Sequence, residues 1–310
     1  MGLITFEGKP IEKLIEVISQ GIGTLYKPRA IRKEAEAEAY KIGIIEKAKA
    51  NAIAEGKIID LELYENIQER ILHQETRKQI NIDNIAQIAA NQLNQEKEVS
   101  EEKVEDDWTT RFFKIAEDIS DDEMQNLWGR ILAGEIKQPK SFSLRTLEIL
   151  KNLSKYEAEV FTKFAQLKLK SGNTNVIYNQ DNGKFLESEF GITFSDRLLL
   201  TELGLISSEN NLEFSFAATN ETERIDVLIY GSKAIVLNKK PNVPKQAIQV
   251  LVYTSIGSEL SKLIEQDINI NYLRKICSSF VNPNVKIEYG DIVNFPNGQT
   301  LLLNKTEYNE

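Results

Sequence analysis

Hydrophobic residues recur every three or four positions through the first third of the chain, and this spacing predicts helices. The first run covers residues 10–22, where Pro10 suits the first position of a helix and Gly23 suits the position after its end. Three of its apolar residues would share one face of this helix: Leu14, Ile18 and Ile22. We therefore expect a short amphipathic helix in an N-terminal segment of residues 1–26.

A much longer helical pattern begins at Pro28 and continues to about Leu93 without a further proline. Residues 30–54 are rich in alanine, glutamate and lysine, which favour helix strongly, whereas isoleucine and leucine dominate after Gly56. One straight helix would extend about 100 Å, and a break at Gly56 would instead give two antiparallel arms. The sequence leaves both arrangements open.

Neither arrangement buries the apolar sides of residues 27–94 within a lone subunit. We therefore expect this segment to act as an oligomerisation element of the coiled-coil type. The positions expected to contact a second copy or another protein are Ile67, Ile71, Ile82 and Ile85.

A dense acidic stretch follows the long helical pattern. Between Glu96 and Glu123 the chain has twelve acidic and four basic residues, a local charge of −8 out of a formal net charge of −9. The rest of the chain is close to neutral, so the total charge says little about nucleic-acid binding. Residues 95–107 have few large apolar side chains and predict a solvated linker.

Residues 108–170 have the pattern of a compact helical module. Two segments, Ser120–Glu123 and Ser154–Glu157, have the spacing of a capping box, in which a serine and a glutamate satisfy the first amides of a helix. Pro139 is expected to end the helix that the first box begins.

The remaining sequence mixes helical and alternating patterns. A helix from Ser195 to Leu203, followed by a β-hairpin from Leu205 to Phe216, predicts a winged-helix-like unit in residues 171–222. A second hairpin from Ile225 to Leu237, with further strands and helices, predicts a small α+β domain in residues 223–310. The expected fold class is mainly α with an α+β C-terminal part.

The central module carries a recognisable signature. The run Trp128-Gly129-Arg130-Ile131-Leu132-Ala133-Gly134-Glu135, followed by Pro139 and by Ser141 to Leu147, resembles a bacterial family known only as a domain of unknown function. It is more distantly similar to the Abi-alpha group, which is associated with abortive infection and phage resistance. The resemblance covers roughly residues 108–285; it implies a part in phage defence by association and supplies no catalytic residues.

Three residues of this signature could be mistaken for a functional site: Trp128, Arg130 and Glu135. We interpret them as structural. Trp128 is expected to fill the core of the module with its indole nitrogen bonded locally, and Glu135 to pair with a base or cap a neighbouring amide.

The chain offers little for catalysis, and we predict no catalytic, cofactor-binding or metal site. His73 is the only histidine and Cys277 the only cysteine, and Cys277 lies in an apolar helical pattern that favours an inert core thiol. The acidic residues from Asp118 to Glu123 are better explained by a helix N-terminus than by a metal site. A single cysteine, the lack of a signal-peptide pattern and the lack of an apolar run of about 18 residues together favour a cytoplasmic protein.

Three functional hypotheses remain. The favoured one is a non-enzymatic interaction or sensor protein that forms a homo-oligomer and binds an unidentified protein partner. The second is a membrane-surface effector using Leu14, Ile18 and Ile22, although the helix lacks the basic bias that anionic lipids require. The third is nucleic-acid binding through Ser195 to Leu203, where Arg197 is the only basic residue, so this binding is not expected.

Overall fold

The computed structural model describes residues 8–27, 61–94, 96, 98–209, 212–294 and 300–308. The chain divides into two compact units, Met1–Leu147 and Glu148–Glu310. We call these the N-terminal unit and the C-terminal unit. The choice between a straight helix and a break at Gly56 falls on residues outside the described ranges, as does the alanine-rich arm.

The described part of the N-terminal unit is helical. Helices that lie wholly within it are α1 (Lys9–Ile22), α2 (Leu61–Leu93, at the start of a described range), α3 (Asp106–Ala116) and α4 (Asp122–Lys137). The predicted N-terminal helix is confirmed, and it ends at Gly23, whose φ of 72° is a left-handed conformation that glycine adopts without strain. Its apolar side is buried against the other helices: Gly21 lies so close to the Phe113 ring of α3 that a side chain there would have no room.

The acidic stretch before α3 is held against α1. The ammonium group of Lys13 donates hydrogen bonds to the carbonyls of Ser100, at 2.6 Å, and Glu102, at 2.7 Å, and Val104 is buried. Burial lowers the pKa of Lys13, although nearby glutamates oppose this effect. The segment predicted as a solvated linker is therefore exposed along its acidic side chains but anchored through its backbone.

Helix boundaries in the middle of the chain follow the predicted caps closely. The cap of α4 is Asp121, whose carboxylate accepts the Met124 amide at 2.9 Å, so the predicted Ser120 cap was wrong by one residue. The helix ends two residues before Pro139, as expected. Helix α5 (Leu144–Asn152) contains the division between the units.

The C-terminal unit contains helices and one antiparallel sheet. Its first elements are α6 (Lys155–Gln166), which begins with the predicted Ser154 capping box, and the hairpin β1 (Leu169–Ser171) and β2 (Thr174–Tyr178). The others are α7 (Lys184–Phe190), α8 (Phe194–Glu202), β3 (Leu212–Phe216), β4 (Arg224–Tyr230), β5 (Lys233–Lys239), β6 (Gln246–Val252), α9 (Ser255–Leu260), α10 (Ile270–Ser278), β7 (Val285–Asn294) and β8 (Thr300–Glu307). The predicted fold class, mainly α with an α+β C-terminal part, is confirmed.

The eight-stranded sheet has the order β3-β6-β2-β1-β4-β5-β7-β8, so β3 and β8 are its edges. The predicted hairpin between β4 and β5 is formed, with Val227 opposite Val236. The predicted wing hairpin is not formed, because β3 pairs along its length with β6, and Ile206 makes only a single bridge to Tyr253. One sheet therefore joins strands from the predicted winged-helix-like unit and from the predicted α+β domain.

Buried polar groups fix the interior of the C-terminal unit. The Tyr272 hydroxyl donates to the Leu167 carbonyl at 2.9 Å and accepts the Tyr178 amide at 3.0 Å, and burial raises the pKa of Tyr272 well above its ordinary value. The side chain of Lys239 is also fully buried, with its ammonium 3.0 Å from the Asp226 carboxylate. The tyrosine bonds satisfy polar groups that would otherwise be costly to bury, and the ion pair offsets part of the cost of burying the lysine charge.

Candidate self-association surface

Helix α2 consists of two halves in different environments. It spans 33 residues, or about 50 Å at 1.5 Å per residue. From residue 81 to its end, one face is buried in the N-terminal unit. The apolar residues of that buried face are Ile82, Ile85, Ala86, Ala89, Ala90 and Leu93.

A glycine brings the buried half of α2 close to α4. A Cβ atom at Gly129 would lie 2.5 Å from Cγ2 of Ile88 and 3.1 Å from the carbonyl oxygen of Ile85. Real side chains do not approach this closely, so the two helices can pack at this distance only because position 129 has no side chain. This is the physical role of the glycine that follows Trp128 in the signature.

A buried polar network lies at the start of the buried half of α2. The Asn81 amide donates to the Glu117 carbonyl at 2.8 Å, and the Gln125 amide donates to Asn81 at 3.2 Å and to the Ile119 carbonyl at 2.9 Å. Just before this network, the ammonium of Lys78 lies 3.0 Å from the Glu117 carboxylate. The hydrogen bond that the Lys78 ammonium donates to the Glu117 carboxylate raises the pKa of Lys78.

The N-terminal half of α2 presents apolar side chains to solvent. Ile71 is 44% exposed and Ile80 is 43% exposed, while Ile67 is half-buried. Ile67 lies about five helical turns before Ile85, and Ile71 about three turns before Ile82, so both pairs share one side of the helix. The exposed half therefore carries two isoleucines on the same side as the buried face, with Gln74, Glu75 and Lys78 between them and that face. We call Ile67 and Ile71 the exposed stripe.

This arrangement is suited to association between helices rather than to chemistry. A helix packs against a neighbour through side chains spaced three and four residues apart, and the exposed stripe provides them on an element already anchored at its other end. In the described ranges, no group of three or more His, Cys, Asp and Glu residues could hold a metal ion.

The structure gives different environments to the seven positions that the sequence offered as candidate interaction residues. Leu14, Ile18, Ile82 and Ile85 are buried in the N-terminal unit and contact its other helices, and Ile22 is half-buried. The membrane hypothesis required Leu14 and Ile18 to be exposed, which they are not. On α2, Ile71 and the half-buried Ile67 retain accessible apolar surface, and Ile22 on α1 is half-buried like Ile67.

The signature residues have structural positions. Glu135 is buried and its two carboxylate oxygens accept the amides of Lys140, at 2.6 Å, and Phe142, at 3.0 Å, as the capping interpretation expected. Trp128 is buried beside Phe112, but its indole nitrogen has no hydrogen-bond partner among the described residues, so that part of the prediction was wrong. Arg130 is half-buried and makes no ion pair with any described residue.

The two residues considered for catalysis are not positioned for it, and the arginine considered for nucleic-acid binding is not positioned for that role. Cys277 is buried, which raises the pKa of its thiol to about 12, whereas His73 is exposed on α2. Arg197, the only basic residue on the predicted recognition helix, donates to the carbonyls of Gly183 and Ile192, so its guanidinium is engaged within its own unit.

Two cavities border the helices of the N-terminal unit. One, of about 360 Å³, lies between α1 and the segment that Lys13 anchors. The other, of about 340 Å³, lies beside α2 and is lined by Ile22, Lys78, Phe113 and Glu117, among others. Lys13 and Lys78 already bond to the protein itself, so part of the donor capacity of each ammonium is used within the unit.

Comparisons with known proteins identify a family but assign no function. A family profile described as "Protein of unknown function (DUF2806)" matches residues 65–277. Searches of curated proteins and of solved structures return no match. None of the helices in the described ranges is both long and apolar enough to cross a membrane.

Proposed function

The chain belongs to the family described as a protein of unknown function (DUF2806), and from this premise we propose that it is a non-enzymatic interaction protein that self-associates through the exposed stripe of α2. The proposal gives the chain a partner in a second copy of itself. In this proposal the C-terminal unit presents surfaces that bind a further protein.

One observation carries the proposal. The apolar stripe of α2 is buried from Ile82 onward, yet Ile71 on the same side of the helix is 44% exposed. Burying apolar surface contributes about 25 cal/mol per Å², so covering this stripe by a second helix is favourable. The anchored half of α2 holds the exposed half in a helical conformation before association, which reduces the entropy lost on binding.

A matched pair of variants of the full chain tests this proposal. Ile71→Glu places a charge in the exposed stripe, and Thr76→Glu places the same charge at an exposed position on another side of the same helix. We expect Ile71→Glu to lower the weight-average mass in sedimentation velocity, because burying a carboxylate between helices is costly. Thr76→Glu should leave the mass unchanged.

The two outcomes are easily distinguished. Equal masses for Ile71→Glu and the unsubstituted chain, with helical content preserved in both, would show that the exposed stripe does not mediate self-association. A loss of mass in both variants would show that added negative charge, rather than the stripe, controls association.

We extend the proposal to phage defence on the strength of the resemblance of the Trp128 to Glu135 signature to the Abi-alpha group. Bacteria producing the chain should show fewer plaques than bacteria lacking it, and Ile71→Glu should abolish the difference if assembly is required. Equal plaque numbers with and without the chain, across a panel of phages, would argue against this extension.

A further inference from the structure

The edge strand β8 has an open side that the described chain does not cover. In the sheet order β8 pairs only with β7, so alternate amides and carbonyls along its other side lack a strand neighbour. Open edges favour pairing with another strand, and proteins usually protect them with charges or bulges. In β8 this protection is present in only one half of the strand.

The second half of β8 is protected and the first half is not. The pairing of β7 and β8 shifts register between Tyr289 and Asp291, Asn304 adopts a φ of 50°, and Lys305 follows it. A bulge and an exposed lysine are the usual protection of an edge. The first half instead carries three leucines in succession, Leu301 to Leu303.

Two of these leucines, Leu301 and Leu302, also pair with residues of β7 that lie beyond its ladder with β5, whereas Leu303 pairs with the last residue of that ladder. The pairing of β5 with β7 ends with Lys233 opposite Asp291, so the later residues of β7 and their β8 partners form a ribbon of only two strands. Leu301 is 51% exposed and Leu303 is 46% exposed. A two-stranded ribbon with exposed apolar side chains is marginally stable by itself, so a third strand along its edge would stabilise it.

The leucine segment is complementary to itself. When two copies of β8 run antiparallel about Leu302, Leu301 of one copy lies opposite Leu303 of the other, and Leu302 lies opposite Leu302. Directly opposite side chains of this kind stabilise a strand pair, and no two like charges face each other among these three positions. A second copy of the chain therefore satisfies both the backbone edge and the side chains.

We propose that residues 301–303 of β8 form a self-association surface separate from α2, at which two copies of the chain pair antiparallel about Leu302. The occupant is the same strand of a second copy. The product is a sheet that continues across the two-fold axis from one copy to the other.

A single introduced cysteine tests the register. In Leu302→Cys the new thiols of two copies lie directly opposite, within the Cα separation of about 4.4–6.8 Å that a disulfide requires. In Leu301→Cys the same residue type on the same strand lies opposite Leu303, so the two thiols are displaced along the strand. The native Cys277 is buried and does not compete under mild oxidation.

We expect Leu302→Cys to form a disulfide-linked dimer roughly tenfold faster than Leu301→Cys, because only the former meets the geometric requirement. Equal rates in the two variants, or no linked dimer from Leu302→Cys in folded protein, would overturn the proposal. The readout does not depend on α2, so it separates the two self-association surfaces.

A second measurement uses charge without a cysteine. Leu301→Lys gives the open half of the edge the protection that Lys305 gives the other half, and it should lower the weight-average mass of the full chain. Ile225→Lys, on the inner strand β4 where the side chain is 66% exposed, is the matched control and should leave the mass unchanged. An unchanged mass for Leu301→Lys would contradict a β8 contact.

Discussion

Gly129 shows how a single missing side chain determines the approach of two helices. Adding one methyl group by Gly129→Ala would place the Cβ atom 2.5 Å from Ile88, so α2 or α4 must shift. Overpacking of this kind costs about 1–3 kcal/mol, and we expect a corresponding loss in the free energy of unfolding measured with urea.

Ile88 supplies the control for this prediction, since its side chain contributes the two closest atoms. In an Ile88→Gly background, which removes both of these atoms, the further cost of Gly129→Ala should shrink. Strict additivity of the two changes would show that the close approach at Gly129 is not what destabilises the single variant.

Glu135 allows a comparison of buried and exposed carboxylates. Glu135→Gln replaces one of two oxygens that accept backbone amides with an NH₂ group, and leaving a buried amide without an acceptor costs about 1–3 kcal/mol. The same substitution at Glu102 removes only its exposed ion pair with Lys140, worth at most about 1 kcal/mol. Urea unfolding of the two variants should rank them in this order, and equal losses would contradict the capping role.

The two halves of α2 should respond differently to the same truncation. Ile82→Ala removes a buried side chain and should cost about 2–5 kcal/mol in the free energy of unfolding. Ile71→Ala removes an exposed one and should change the stability of the dilute protein by less than about 0.5 kcal/mol. A large loss from Ile71→Ala at low concentration would mean that its side chain is covered within one subunit.

Sequence patterns predicted some helices and strands correctly and missed other features of them. Periodicity predicted α2, but it could not locate the change from buried to exposed near Asn81, since Ile71 and Ile82 follow the same spacing. Local patterns likewise identified β4, β5 and the Ser154 cap. They failed at β3, because its partner β6 lies far along the chain and pairing over such a separation leaves no local signal.

For the whole molecule, Cys277 reports on the opening of the C-terminal unit. Burial raises the pKa of its thiol from 9.0 to about 12, so in the folded state the thiol keeps its proton while an unfolded chain loses it near pH 9. The contribution of this protonated thiol to stability is complete below pH 9 and is lost as the pH rises toward 12. Stability at alkaline pH should therefore fall less steeply in Cys277→Ala than in the unsubstituted chain.

The same burial predicts slow reaction of Cys277 with a thiol reagent at pH 8 in native buffer and rapid reaction in urea. The sequence contains no other cysteine, so the labelled fraction reports this position alone. Rapid labelling of the native protein would contradict the packing of α10 against the sheet.

At this scale the sequence predicted the fold class but not the candidate surface in full. It named seven apolar residues on two helices as candidate interaction positions, and the fold buries Leu14, Ile18, Ile82 and Ile85 in the N-terminal unit. Amphipathic spacing shows which side of a helix is apolar, whereas the tertiary structure determines what covers it. The β8 edge could not be identified from the sequence, because an edge exists only once the order of the strands is known.

The central claim is that the exposed stripe of α2 brings copies of the chain together, and the mass in solution tests it most directly. Multi-angle light scattering of the full chain over a dilution series should give a mass above the 35.3 kDa of one chain at high concentration. The mass should fall on dilution and should fall further in Ile71→Glu. A constant mass of 35.3 kDa at every concentration would contradict the account.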